Sequence, residues 1–137
     1  MKPLRSLLFI LLGLNLFACN AQQDSSDGKT ALIKDIHAAE AKGLLDNDKD
    51  IIIVDVRTPR EFEAGHIQGA KNINVADKDF RSNIENLDRD STYLVYCQVG
   101  NRSKYAVNVM KELDFKTIYH LNNGISEWIR EGNPVEK

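Results

Sequence analysis

The chain lacks several features that would place it in a common functional class. Lys and Arg total 18 against 20 Asp and Glu, and this near-neutral balance argues against a nucleic-acid binder. The longest apolar run, residues 7–18, is shorter than the ~20 residues that a transmembrane helix needs. No internal repeat or low-complexity segment is evident. With 42% apolar and 28% charged residues over 137 positions, the composition is typical of one soluble globular domain.

The apolar run near the N-terminus has the layout of a secretory signal. Lys2 and Arg5 precede it, and it ends in the residues LFAC, of which the last is Cys19. LFAC resembles a bacterial lipobox, in which the cysteine is acylated on sulfur and becomes the mature N-terminus. A plain signal peptide without a lipid and an uncleaved anchor are the alternatives.

A lipidated Cys19 would determine both the location and the thiol chemistry of the chain. Residues 1–18 would be removed, and several acyl chains would anchor the protein durably to a membrane of the cell envelope, facing the periplasm or the exterior. Residues 19–29 are polar and without apolar periodicity, so they are predicted to form a flexible tether. Cys97 would then be the only free thiol, and any thiol exchange would involve a partner or a small molecule.

Residues 30–137 alternate between short apolar runs and amphipathic segments, which predicts an α/β fold. Residues 51–54 form an unbroken β-branched run, as in a parallel strand covered on both sides. Thr58 and Glu61 are spaced as a helix capping box. The strands are predicted at 31–33, 51–54, 71–75, 92–96 and 116–121. The helices are predicted over about 36–45, 59–64 and 77–87, from about 103 with Tyr105 on its apolar face, and after Gly124 with Ile129 among its apolar residues.

Cys97 directly follows the strand predicted for 92–96. In parallel α/β sheets, ligands bind at this edge. Gly100 allows the backbone to curl so that the N–H groups of residues 98–103 can converge as an anion-binding nest. The positive end of the following helix and the charge of Arg102 would also favour a thiolate over a thiol. We therefore interpret Cys97 as a nucleophile rather than as a small buried apolar residue.

Three separated stretches carry the signature of one family. They are CQVGNRS at 97–103, IVDVRTPREFEAGHIQGAKNI at 53–73 and LNNGISEWIREGNPV at 121–135. The first resembles the active-site loop C-x-x-G-x-R-S of the rhodanese-like single-domain sulfurtransferases, and the others resemble the family's upstream and C-terminal signatures. The resemblance implies a three-layer domain over 30–137, with a central, mainly parallel sheet of about five short strands flanked by helices.

The resemblance also implies an activity. Cys97 is the expected catalytic nucleophile, which takes a sulfane sulfur from thiosulfate or a persulfide and passes it to a thiol or to cyanide. The domain is expected to act as a monomer, with no metal or organic cofactor. The donor is expected to be held by the other loop residues, which are Gln98, Val99, Gly100, Asn101, Arg102 and Ser103.

Loop length favours sulfur transfer over phosphate hydrolysis. Cys97 to Arg102 is a six-residue C-x4-R loop, whereas the related cell-cycle phosphatases have a C-x5-R loop. The additional residue widens the cradle for a phosphate group, and the shorter ring better fits one sulfur atom. Two alternatives stay open: a rhodanese-like module that binds a sulfur species or a partner protein without turnover, and a phosphatase- or arsenate-reductase-like enzyme, which the short loop disfavours.

Four more polar residues have roles that the sequence leaves open. Asp55 and Arg57 follow the strand at 51–54 and would either orient the cysteine loop or brace the turn as an ion pair. His66 is interpreted as a structural feature of its glycine-flanked turn, because sulfur transfer by a thiolate needs no general base. His120 lies near the end of the last predicted strand, where a hydrogen-bonded or solvent-facing histidine is favoured over a ligand.

Overall fold

Strands and helices alternate along the described part of the chain. The computed structural model describes residues 30–137, so the predicted signal at 1–18, Cys19 and the tether at 19–29 lie outside the described residues. Within 30–137, no helix is both long enough and apolar enough to cross a membrane. The elements are β1 Leu32–Ile36, α1 Ala38–Asn47, β2 Ile52–Asp55, α2 Pro59–Ala64, β3 His66–Ile67, β4 Lys71–Asn72, α3 Phe80–Glu85, β5 Thr92–Tyr96, α4 Asn101–Glu112, β6 Thr117–Leu121, α5 Gly124–Arg130 and β7 Val135–Glu136.

Five strands form a parallel sheet in the order β1-β6-β5-β2-β4. The strand β5 lies at its centre, and its side chains alternate between two apolar layers, with Tyr93 and Val95 on one side and Leu94 and Tyr96 on the other. Residues of α3 and α4 pack on the first side, and residues of α1 and α5 pack on the second. The prediction of an α/β domain with a central parallel sheet between helices is therefore confirmed.

Several predicted elements agree with the structure. The strand β5 has the predicted bounds. The predicted capping box is present in α2, because the Thr58 hydroxyl accepts from the Glu61 N–H and the Glu61 carboxylate accepts from the Thr58 N–H. Pro59 occupies the first helical position, where its missing N–H costs nothing.

Other predictions were wrong in the bounds of an element or in the face of a helix that is buried. The strand β1 extends to Ile36, so that residue lies in the sheet rather than on a helix. The helix α4 begins at Asn101, two residues before the predicted start, and Tyr105 is 60% exposed instead of buried. The buried stripe of α4 runs through Ser103, Ala106, Val107 and Met110, and position 105 falls beside it. Ile129 is likewise exposed on α5, and the short antiparallel pair of β3 and β7 was not predicted.

Candidate active site

Cys97 lies at the carbonyl end of the central strand, with 1% of its surface exposed. Its backbone is fixed by α5, because the N–H of Ile125 donates to the Cys97 carbonyl at 2.9 Å and the N–H of Ser126 donates to the Gln98 carbonyl at 3.1 Å. This contact places the start of α5 directly against the loop. The loop that follows the nucleophile candidate is therefore held from a second, distant segment of the chain.

Two glycines make this close approach feasible. Gly100 has a φ of 102°, and a Cβ there would lie 1.8 Å from the Asn122 carbonyl oxygen. Gly124 has a φ of 63°, and a Cβ there would lie 2.4 Å from the Gln98 carbonyl oxygen. Side chains rarely adopt these φ values, and no real Cβ approaches an oxygen so closely. The glycines at 100 and 124 thus determine how the loop and α5 fit together.

The sulfur of Cys97 accepts hydrogen bonds from the loop. The Gly100 N–H lies 3.1 Å from Sγ, and the Ser103 hydroxyl lies 3.3 Å from it. Burial raises the pKa of the Cys97 thiol, but the hydrogen bonds from Ser103 and from the N–H groups of Gly100 and Val99 outweigh it, so the pKa lies below its ordinary value. Of the N–H groups predicted to form a nest, that of Gly100 is hydrogen-bonded to the sulfur.

Arg102 is paired with a carboxylate. Its two terminal nitrogens donate to Glu61 at 2.8 and 2.7 Å, in a bidentate ion pair at the start of α2. The hydrogen bonds from Arg102 are the main reason that the pKa of Glu61 falls to about 2. From the sequence, the charge of Arg102 was considered alone, and the structure shows that Glu61 pairs with it. Glu61 was recognised only as a capping residue, although the first turn of the helix that follows a parallel strand lies near the ligand edge of the sheet.

Asp55 and Arg57 form a buried ion pair. The Arg57 guanidinium donates to both Asp55 oxygens at 2.7 to 3.0 Å and to the Gly65 carbonyl at 2.7 Å. It also donates to the Gln98 side-chain oxygen at 3.2 Å, and the Gln98 amide in turn donates to Ser126 at 2.8 Å. The pair therefore braces its own turn and also reaches into the cysteine loop, so both roles considered from the sequence have a structural basis.

The predicted substrate-binding residues share one loop but differ in what they offer a ligand. The side chain of Gln98 is occupied by its two partners, and that of Val99 is 56% exposed at the rim. Asn101 is exposed at the first turn of α4, and Ser103 is buried beneath the sulfur. Of these residues, Gly100 and Ser103 donate hydrogen bonds to the sulfur, through the N–H of the former and the hydroxyl of the latter.

The two histidines considered from the sequence lie in different environments. The His66 ring stacks on Phe62 and donates to the Phe62 carbonyl at 2.9 Å, which agrees with a structural role in its turn. His120 is 2% exposed and lies at the ligand edge, with Nε2 at 2.8 Å from the Ser103 hydroxyl and Nδ1 at 2.7 Å from an Asp35 oxygen. Both ring nitrogens of His120 have hydrogen-bond partners, as expected, and one of these partners, Ser103, belongs to the cysteine loop.

Comparisons with known proteins identify relatives of this chain and of its fold. The family model "Rhodanese-like domain" matches residues 37–131. The "Probable adenylyltransferase/sulfurtransferase MoeZ" of Mycobacterium tuberculosis is 32% identical over 95 residues, which are 69% of this chain but only 24% of MoeZ. The thiosulfate sulfurtransferase GlpE of Pseudomonas putida is 37% identical over 62% of this chain and 74% of GlpE. A rhodanese-related protein from Thermoplasma volcanium superposes with a TM-score of 0.65 at 36% identity, covering 75% of this chain and 97% of that one.

Proposed function

We propose a sulfurtransferase function for this chain, which belongs to the rhodanese-like domain family. In this proposal, Cys97 takes a sulfane sulfur from a donor and holds it as a persulfide until an acceptor removes it. The observation that carries the proposal is the environment of the sulfur, a buried thiol of lowered pKa that accepts hydrogen bonds from Gly100 and Ser103. The reaction needs a thiolate nucleophile, and these bonds stabilise one.

The first step loads the sulfur. With thiosulfate as donor, the Cys97 thiolate attacks the outer sulfur, a new S–S bond forms, and the donor's S–S bond breaks with its electron pair leaving on sulfite. The products are a cysteine persulfide anion and sulfite, so charge and atoms balance. The N–H groups of residues 99 and 100 and the Ser103 hydroxyl, which already face the sulfur, would stabilise the negative charge throughout.

The second step unloads the sulfur. An acceptor thiolate or cyanide attacks the outer sulfur of the persulfide, the cysteine sulfur leaves with its electron pair, and the Cys97 thiolate is restored. Cyanide yields thiocyanate, and a thiolate yields a new persulfide. The described part of the chain has no second cysteine beside Cys97, so the acceptor comes from outside residues 30–137.

Thiosulfate is the first donor to test, because the relative GlpE bears that substrate in its name. The Arg102–Glu61 ion pair leaves little net positive charge at the rim of the loop. A neutral or singly charged persulfide donor would meet less electrostatic opposition there than a dianion. We therefore expect activity with thiosulfate and a lower KM for an organic persulfide.

Turnover separates this function from its alternatives. The purified full-length chain is assayed for thiocyanate formation from thiosulfate and cyanide, and separately for hydrolysis of a phenyl phosphate ester, with Cys97→Ser as the control. Sulfurtransferase activity predicts thiocyanate formation that the substitution abolishes, and no ester hydrolysis. Cys97-dependent ester hydrolysis without thiocyanate would favour a phosphatase, and no turnover of any donor would favour a module that only binds.

We further propose that Cys19 carries a lipid that tethers the domain to a membrane of the cell envelope. The support is the LFAC sequence after a basic and apolar leader, followed by the polar residues 20–29. Metabolic labelling with a radioactive fatty acid in a bacterial host tests this proposal, with Cys19→Ser as the control. Label on the wild-type chain alone is the expected result, and label on neither chain would overturn it.

A further inference from the structure

Four side chains form one hydrogen-bonded line that starts at the reactive sulfur. The Ser103 hydroxyl lies 3.3 Å from Cys97 Sγ, His120 Nε2 lies 2.8 Å from that hydroxyl, and Asp35 Oδ1 lies 2.7 Å from His120 Nδ1. Each side chain comes from a different part of the fold, namely the end of β5, α4, β6 and β1. Such a line connects the thiol to groups that can hold a proton.

The sheet register explains why these side chains meet. Asp35 pairs with His120 across β1 and β6, and Val95 pairs with His120 across β5 and β6, so their side chains share one face. Cys97 lies two residues beyond Val95 and therefore continues that face. Ser103 opens the buried stripe of α4, which covers the same face from above. The line is thus a product of the parallel pairing rather than of local sequence.

Burial divides the line into an interior part and an exposed end. Cys97, Ser103 and His120 are each at most 2% exposed, whereas the Asp35 side chain is 67% exposed. A thiol buried in this way has to lose its proton to a neighbouring group before the sulfur can react. The line offers a path from the sulfur to a carboxylate in contact with solvent.

Both protonation states of the line can be written with every proton placed. In the thiol form, the Cys97 S–H donates to the Ser103 oxygen, the Ser103 hydroxyl donates to Nε2 of a neutral His120, and the Nδ1–H of His120 donates to Asp35. In the thiolate form, the hydroxyl donates to the sulfur, and a protonated His120 donates from Nε2 to the Ser103 oxygen and from Nδ1 to Asp35. The Gly100 carbonyl, 3.1 Å from the same hydroxyl, is a further acceptor.

We propose that His120, held by Asp35, takes the thiol proton of Cys97 through the Ser103 hydroxyl and so maintains the sulfur as a thiolate. The thiol proton passes to the serine oxygen while the serine proton passes to Nε2, and the result is a thiolate and an imidazolium. His120 acts through Ser103 and is therefore a positioning residue. The inference rests on the proposed function in that it takes Cys97 as the nucleophile.

Few other charges act on this line. Asp35 from β1 is the only carboxylate bonded to His120 within residues 30–137. Arg102 from α4 is balanced by Glu61 from α2. A change in the protonation of His120 should therefore mainly affect the ionisation of the Cys97 thiol.

The thiolate content of the protein tests the proposal without any sulfur donor. The full-length chain in a Cys19→Ser background, which leaves Cys97 as its only thiol, is titrated by the ultraviolet absorbance of the thiolate. His120→Gln retains a hydrogen-bonding side chain but cannot hold the proton, so we expect the thiol pKa to rise and the thiolate fraction below it to fall about tenfold. Asp35→Asn should shift the pKa in the same direction by less, because the carboxylate is exposed. Unchanged thiol pKa values in both variants, with native circular dichroism, would overturn the proposal.

A second measurement needs no substitution of the buried histidine. The ring nitrogens of His120 are followed by NMR against pH in the Cys19→Ser chain and in the same chain with Cys97→Ser. If the two groups share the proton, the ring-nitrogen signals of His120 respond to the ionisation of the Cys97 thiol, and this response is absent in the chain with Cys97→Ser. The same pH dependence of these signals in both chains would contradict the proposal. If Cys97 forms a persulfide but neither the thiol pKa nor the His120 signals change as described, the proton relay is refuted and sulfur transfer stands. If these changes occur but no persulfide forms, sulfur transfer is refuted and the relay stands.

Discussion

Arg102 of the cysteine loop and Glu61 of the preceding capping box form a bidentate ion pair, although 41 residues separate them in the chain. The pair joins α4 to α2 and sets the charge at the rim of the sulfur site. Glu61 serves two purposes at once, because the same carboxylate accepts from the Thr58 N–H at the start of α2. The charge offered to a donor anion is thus linked to a local feature of helix capping.

Replacing Glu61 should therefore change the kcat/KM of the site for anionic donors. Glu61→Gln frees the Arg102 charge, and a glutamine can still complete the capping box. We expect kcat/KM for thiosulfate to rise about three- to tenfold, as removal of one nearby negative charge implies. Initial rates of thiocyanate formation measure it. The control is Glu63→Gln, an exposed carboxylate on the same helix, which should leave the rate unchanged. A lower rate in Glu61→Gln than in this control would contradict the assigned role.

The same pair predicts a pH dependence of stability. The pKa of Glu61 is lowered from 4.5 to about 2 in the folded chain, so its stabilising effect is present above pH 4.5 and is lost as the pH falls towards about 2. Urea unfolding of the wild type and of Glu61→Gln at several pH values measures it. The difference in free energy of unfolding should shrink over this range, since the other carboxylates titrate in both chains. A difference that stays constant with pH would show that the ion pair does not stabilise the fold.

The two glycines around the loop should be intolerant of a methyl group. Gly100→Ala would place a Cβ against the Asn122 carbonyl at a positive φ. We expect the free energy of unfolding to fall by more than about 2 kcal/mol, and the sulfurtransferase activity to be lost as well. Chemical denaturation measures the first and thiocyanate formation the second. Gly43→Ala is the matched control, because its Cβ meets nothing within 4 Å and alanine favours the helix interior by about 1 kcal/mol. Equal stability changes in the two variants would contradict this account.

The buried pair of Asp55 and Arg57 should be costly to break. Asp55→Asn leaves the Arg57 guanidinium buried without its counter-charge, so we expect a loss of about 3 to 5 kcal/mol in unfolding free energy. Because Arg57 also holds the Gln98 side chain, activity should fall at temperatures where the variant is still folded. Asp79→Asn, an exposed N-cap residue without a side-chain capping bond, is the control and should change stability by less than about 0.5 kcal/mol. Equal losses of unfolding free energy in the two variants would show that the ion pair does not stabilise the fold.

Features encoded within a few neighbouring residues were predictable from the sequence. The strand β5 is a continuous apolar run, the capping box depends on a spacing of three residues, and the glycine of the cysteine loop lies three residues after the thiol. The prediction of a parallel sheet that connects the three separated motifs came from their resemblance to one family. Short-range patterns of this kind persist whatever the surrounding fold is.

Contacts that depend on tertiary pairing were not predictable in the same way. His120 meets Asp35, 85 residues away, only because β1 and β6 pair in one specific register. Tyr105 was placed on the apolar face of α4, because the sequence does not show that Ser103 occupies the first buried position beneath the sulfur. Single-sequence periodicity cannot resolve which of two adjacent helical stripes faces the sheet.

Intact-mass spectrometry of the full-length chain in the Cys19→Ser background tests sulfur transfer most directly. The protein is weighed before and after incubation with thiosulfate, glutathione persulfide or polysulfide, with Cys97→Ser alongside. The account predicts the gain of one sulfur atom on Cys97, its removal by cyanide and no gain in the Cys97→Ser chain. No adduct with any of the three donors, on a folded chain with a reactive thiol, would contradict it and leave binding without turnover as the function of this site.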